Sequence, residues 1–69
     1  MDLVRVLGRN VRRERKRLGL SQEALAHEAD MKRSYLSDLE RGTRNPSIKA
    51  VERLAKALMV DPWSLLRDD

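Results

Sequence analysis

The chain has 69 residues, with 15 lysines and arginines against 11 aspartates and glutamates, a net charge of +4 and a sequence pI of about 10.1. That length holds one domain, 1–69, whose small core buries only about 60% of the surface its unfolded form exposes, so oligomerisation is a natural source of further burial. With no cysteine, disulfides and thiolate metal sites are excluded; no apolar run approaches the roughly 18 residues of a membrane span, and Met1-Asp2-Leu3-Val4-Arg5 lacks the pattern of a signal peptide, so a cytoplasmic location is expected.

Turn signals divide the chain into five helical segments, and no β-type alternation is present. The first runs from about Leu3 to Leu18 and stops at Gly19. At about 100° per residue, Leu3, Val4, Leu7, Val11 and Leu18 share one arc, with Arg5, Arg9, Arg12, Arg13, Lys16 and Arg17 outside it. Ser21 is a good N-cap for a second helix, whose inner face is Leu25, Ala26 and Ala29. A third helix follows Asp30-Met31 and ends at Gly42, a left-handed stop, before the loop Thr43-Arg44-Asn45-Pro46. Ser47 caps a fourth helix with the apolar arc Ile48, Val51, Leu54, Ala55 and Leu58. Asp61-Pro62, an N-cap followed by proline, opens a short fifth helix containing Trp63, Leu65 and Leu66.

The basic balance favours a polyanionic partner. One Tyr, one Trp and no Phe cannot build the stacking platform that holds single strands, which leaves duplex DNA. The second and third helices are short and separated by only a few residues. So tight a junction forces a large crossing angle, as in a helix-turn-helix spanning about 21–41. With Arg33 at zero on the wheel, Ser37 falls near ~40°, Arg41 near ~80°, Ser34 near ~100° and Asp38 near ~140°. Leu36, Leu39 and Glu40 take the inner side. One face of this helix is therefore polar and the other apolar, the division that a groove-reading helix requires.

The stretches Leu18-Gly19-Leu20-Ser21-Gln22-Glu23-Ala24-Leu25-Ala26, Arg33-Ser34-Tyr35-Leu36-Ser37-Asp38-Leu39-Glu40-Arg41-Gly42 and Asn45-Pro46-Ser47 resemble the Xre/Cro family of phage-repressor-like domains. The resemblance covers about residues 7–66. The stretch from Arg33 to Gly42 is also similar to controller proteins of restriction–modification systems. The resemblance implies an all-α, five-helix lambda-repressor-like fold and a sequence-specific transcriptional regulator that binds double-stranded DNA as a homodimer, in a bacterial or phage setting.

It also sharpens individual residues. Arg33 is placed where the family contacts bases, and a guanidinium there can grip guanine O6 and N7 or, alternatively, a phosphate. Ser34 and Ser37 would contact bases or phosphates, or remain solvated. Asp38 would accept from a cytosine amino group or pair with Arg41. Tyr35 would touch a phosphate or pack at the rim. Gln22 is expected on a phosphate at the second helix's N-terminus. Arg44 and Asn45 are expected along the DNA backbone, with Lys32 joining by proximity and Arg12 meeting phosphate from the first helix. Arg15, about 120° from Leu3 at the margin of the apolar arc, is expected to form the family's partly buried ion pair with Glu40.

Three departures from the family pattern stand out. Asp30 occupies a turn position that usually carries glycine, and Lys32, which cannot accept a hydrogen bond, replaces the usual Ser or Thr cap. Met59 stands where glycine often ends the fourth helix, leaving packing to replace that cap. Trp63, Leu65 and Leu66 form the candidate dimer interface, since one recognition helix reads too few base pairs alone. An enzyme is not expected: His27 is the sole histidine and lies on an outer face, and no metal-ligand cluster or phosphate loop is present, so no cofactor or metal is implied. The competing class is an antitoxin-type or adaptor protein whose main role is protein–protein binding.

Overall fold

A computed structural model describes residues 2–68; Met1 and Asp69, the outermost residues of the expected domain, lie outside them. Four α-helices, α1 (Leu3–Arg17), α2 (Gln22–Glu28), α3 (Arg33–Arg41) and α4 (Ile48–Leu58), are followed by a 3-10 helix, Pro62–Leu66. The described residues form no strand.

Local chemistry sets the ends. The Asp2 carboxylate accepts from the backbone of Val4 and Arg5 at the start of α1. The Ser21 and Ser47 hydroxyls accept from the N–H of Ala24 and Ala50, three residues on, at 3.0 and 3.1 Å. Lys32 caps α3 by backbone geometry alone, with no side-chain hydrogen bond, as its chemistry requires. All four α-helices close with the same pair of hydrogen bonds to the last turn, donated by one left-handed residue and by the residue after it. The residue that turns left-handed there is Gly19, Asp30, Gly42 and Met59 in succession. Met59 does not substitute packing for glycine: it adopts the left-handed conformation itself, with φ of 59° and a side chain in solvent.

The fifth element is a 3-10 turn rather than an α-helix. The Asp61 carbonyl, not its carboxylate, serves as the cap, accepting from the N–H and hydroxyl of Ser64. With three residues per turn, Trp63 and Leu66 stack on one side and Leu65 falls on another. Leu65 is fully buried, so it belongs to the core and not to an exposed interface.

The core is formed by Leu7 and Val11 of α1, Leu25 of α2, Leu36 and Leu39 of α3, Leu54 and Leu58 of α4, and Leu65. Three residues on the expected apolar arcs stay outside it, Val4 being only partly buried. Leu3 and Ile48 are the first residues of α1 and α4, project beyond the edge of the core and are exposed. Conversely, α1 buries a wider face than the arc, because it packs on α3 along one side and on the 3-10 helix along another. Val6, Gly8 and Asn10 fill that extra face. The fully buried Asn10 amide donates to the Leu65 and Arg67 carbonyls, both at 2.8 Å, and so ties the chain's last turn to α1. At Gly8 the backbones of α1 and α3 meet: a Cβ there would lie 2.3 Å from the Leu39 carbonyl oxygen.

Candidate nucleic-acid interface

Helix α3 presents the predicted division of faces. Leu36 and Leu39 are wholly buried, whereas Arg33, Ser34 and Arg41 are exposed and Ser37 is partly so. The helix is held from behind by the expected ion pair. Arg15 donates to both oxygens of Glu40, from Nε at 2.7 Å and from Nη2 at 3.0 Å, and its Nη1 donates to the Leu20 carbonyl at 2.8 Å. Only 3% of the Glu40 side chain is accessible and 11% of Arg15. The hydrogen bonds to Glu40 raise the Arg15 pKa above the ordinary arginine value, outweighing the opposing effect of burial. Gln22, expected on a phosphate, donates from Nε2 to Glu40 at 3.1 Å, so the start of α2 joins the same cluster. The pair therefore fastens α1, α2 and α3 together at one point.

The other flank of α3 is organised by Asp38. Its Oδ1 accepts from Arg41 Nη2 and its Oδ2 from Arg44 Nη2, the latter at 3.4 Å. Arg41 also donates to the Ser37 hydroxyl, and the Arg44 guanidinium lies 4.6 Å above the Tyr35 ring. The Tyr35 hydroxyl accepts from the Ser47 N–H at 3.4 Å, which anchors the loop after α3 against the helix. Asn45 is exposed in that loop. Among the described residues, Arg12, Lys32 and Arg33 are exposed cations without an ion-pair partner. Arg12 shares a surface depression with Arg9, Arg13, Lys16 and Glu40, which places it beside α3.

Trp63 and Leu66, two of the three residues of the candidate dimer interface, lie together in an apolar groove whose other walls include Leu3, Pro46, Ile48 and Pro62. Leu3 and Ile48 are not expected there: their wheel positions match the core arcs, but as the first residues of α1 and α4 they lie past the edge of the core. Asn10 was missed as well, although a lone amide within an apolar stretch is a sign of a specific buried partner. Among the described residues no group of His, Cys, Asp and Glu is arranged to hold a metal ion, and no helix is long and apolar enough to cross a membrane.

Two short helices joined by a tight turn, the second with a polar outer face and an inner face locked to a helical scaffold, define a helix-turn-helix domain. The chain belongs to the Xre-like helix-turn-helix family, whose profile matches residues 11–62. It is 49% identical over 62 residues to the control protein C.BamHI of Bacillus amyloliquefaciens, a match covering 88% of this chain and 76% of that protein. Its fold is similar to the crystal structure of the restriction-modification controller protein C.AhdI from Aeromonas hydrophila, with a TM-score of 0.87, 40% identity and coverage of 90% and 94% of the two chains. It is also similar to the biofilm-formation regulator SinR in complex with DNA, with a TM-score of 0.84, 37% identity and coverage of 88% and 98%.

Proposed function

We propose that the protein is a transcriptional regulator that binds a pseudo-palindromic double-stranded DNA operator as a homodimer, with α3 in the major groove. The observation that carries this reading is the exposed polar face of α3, rigidly backed by the Arg15–Glu40 pair, in a chain of the same fold as a regulator solved on DNA. Arg33, Ser34 and Ser37 face the bases, and Lys32, Arg41, Arg44, Asn45 and Arg12 face phosphates. Gln22 acts at the edge of the ion pair and Tyr35 as the platform for Arg44. The similarity to two control proteins of restriction–modification systems favours that regulatory setting, in the cytoplasm where such an operator lies.

The groove of Leu3, Ile48, Trp63 and Leu66 is where a second copy would pack. One recognition helix reads only a few base pairs, and two placed about 34–36 Å apart read a palindrome. Selection from random duplexes, followed by titration of the enriched duplex at several salt concentrations, tests the reading. The expected result is a pseudo-palindrome bound by two protomers, with log K falling by about 0.9 per contacted phosphate for each unit of log salt. A flat salt response or one protomer per duplex refutes it. Arg33→Ala is expected to remove about 1–3 kcal/mol of preference at one base pair, read by competition between duplexes differing there.

A further inference from the structure

Both oxygens of Asp38 are engaged by arginines of the surface that reads DNA: Arg41 from the last turn of α3 and Arg44 from the loop beyond it. With Glu40 turned inward, Asp38 is the carboxylate that α3 sets among these cations. We propose that Asp38 is a specificity-determining residue, which restrains Arg41 and Arg44 and so suppresses binding to duplexes of arbitrary sequence; the inference rests on the DNA-binding reading above.

Arbitrary DNA attracts a basic surface by counterion release, which asks only that cations lie near phosphates. A carboxylate shared by two guanidiniums opposes this attraction in two ways. It cancels one of their charges, and it limits the directions in which each can reach. Arg44 is confined twice over, by Asp38 on one side and by the Tyr35 ring at 4.6 Å. Arg41 is likewise held by Ser37 as well as Asp38. Asp38 uses a single nitrogen of each guanidinium, so further N–H donors remain for a phosphate that arrives in the right place. A matched duplex supplies that place and benefits from donors already ordered, whereas a mismatched one finds them held away from its phosphates.

The test compares wild type with Asp38→Asn, which keeps the size and one acceptor but removes the charge. The probes are the duplex that wild type enriches from a random pool and a scrambled duplex of the same composition. Asp38→Asn should bind the scrambled duplex several-fold more tightly at low salt, with a salt slope steeper by about 0.9. The ratio of the two dissociation constants should narrow by a similar factor, and Asp38→Glu should restore it. In an Arg41→Gln/Arg44→Gln background, Asp38→Asn should shift neither slope nor ratio. Equal weakening on both duplexes, unchanged binding to the scrambled duplex, or the same shift without the two arginines would overturn the proposal. If wild type enriches no duplex, the DNA-binding reading fails and this inference falls with it.

Discussion

Replacing Glu40 by alanine removes both carboxylate partners of Arg15, at 2.7 and 3.0 Å, and the acceptor of Gln22. Arg15 then keeps only the Leu20 carbonyl, at a site where 11% of its side chain reaches solvent. Breaking a buried ion pair from one side costs about 3–5 kcal/mol, because the remaining charge is neither hydrated nor paired. The slight exposure of Arg15 favours the lower end, about 3 kcal/mol. A domain of this size has roughly 3–10 kcal/mol of stability in all, so the variant should melt roughly 12–24 °C below wild type. Removing both charges with Arg15→Met/Glu40→Leu should cost far less than the sum of the single changes, since no orphaned ion remains. Urea denaturation followed by circular dichroism of wild type, Arg15→Met, Glu40→Leu and the double variant gives the four corners of the cycle. A loss below about 1 kcal/mol in Glu40→Ala, or simple additivity in the double variant, would refute the assignment of a buried, mutually dependent pair.

Three further outcomes follow from local geometry. Met59→Gly should stabilise the fold by about 1 kcal/mol, because glycine adopts the left-handed cap without strain and the methionine side chain is 79% exposed; a thermal melt that does not rise contradicts this. Gly8→Ala should destabilise by about 1–3 kcal/mol or more, since the new methyl meets the Leu39 carbonyl where α1 supports α3, and a neutral effect in denaturant titration would show that the contact yields. The Glu14 carboxyl is held below its ordinary value of 4.5, first by the hydrogen bond from Arg17 and with help from Arg13. Its folded pKa is thus the lower one, so its stabilising contribution is present above the unfolded value and is lost as pH falls through the folded value. In an NMR titration Arg17→Ala should move the Glu14 midpoint upward, and an unmoved midpoint would exclude the Arg17 contact as the cause.

What the sequence made legible was local or carried by the family resemblance. Ser21, Gly19, Gly42 and Ser47 mark helix ends through bonds to residues a few positions away, and the structure places each there. The Arg15–Glu40 pair was anticipated from the resemblance together with wheel angles. The errors arose where the answer depended on a neighbour in space. Leu65 reads like Trp63 and Leu66 because all three are apolar; which one turns inward depends on a three-residue rather than a 3.6-residue turn. Ile48 fits the α4 arc, but the core ends before reaching it. Gly8 reads as an ordinary residue of a basic helix until α3 is laid against it. From the sequence Asp38 can face either a base or Arg41, and the loop that brings Arg44 to it has no periodicity to read.

The Asn10 tether makes α1 a spacer of fixed length. One helix of about 22 Å is bonded near its middle to the carbonyls of the last turn and near its end, through Arg15, to α3. In the dimer proposed above, the distance and twist between the two reading helices would then be properties of a single rigid strut, with no hinge to absorb a mismatch. Adding one base pair between half-sites shifts them by about 3.4 Å and turns them by about 34°. The duplex, and not the protein, would have to bend or untwist to meet that change, so operators of altered spacing should be rejected even when every contacted base is retained.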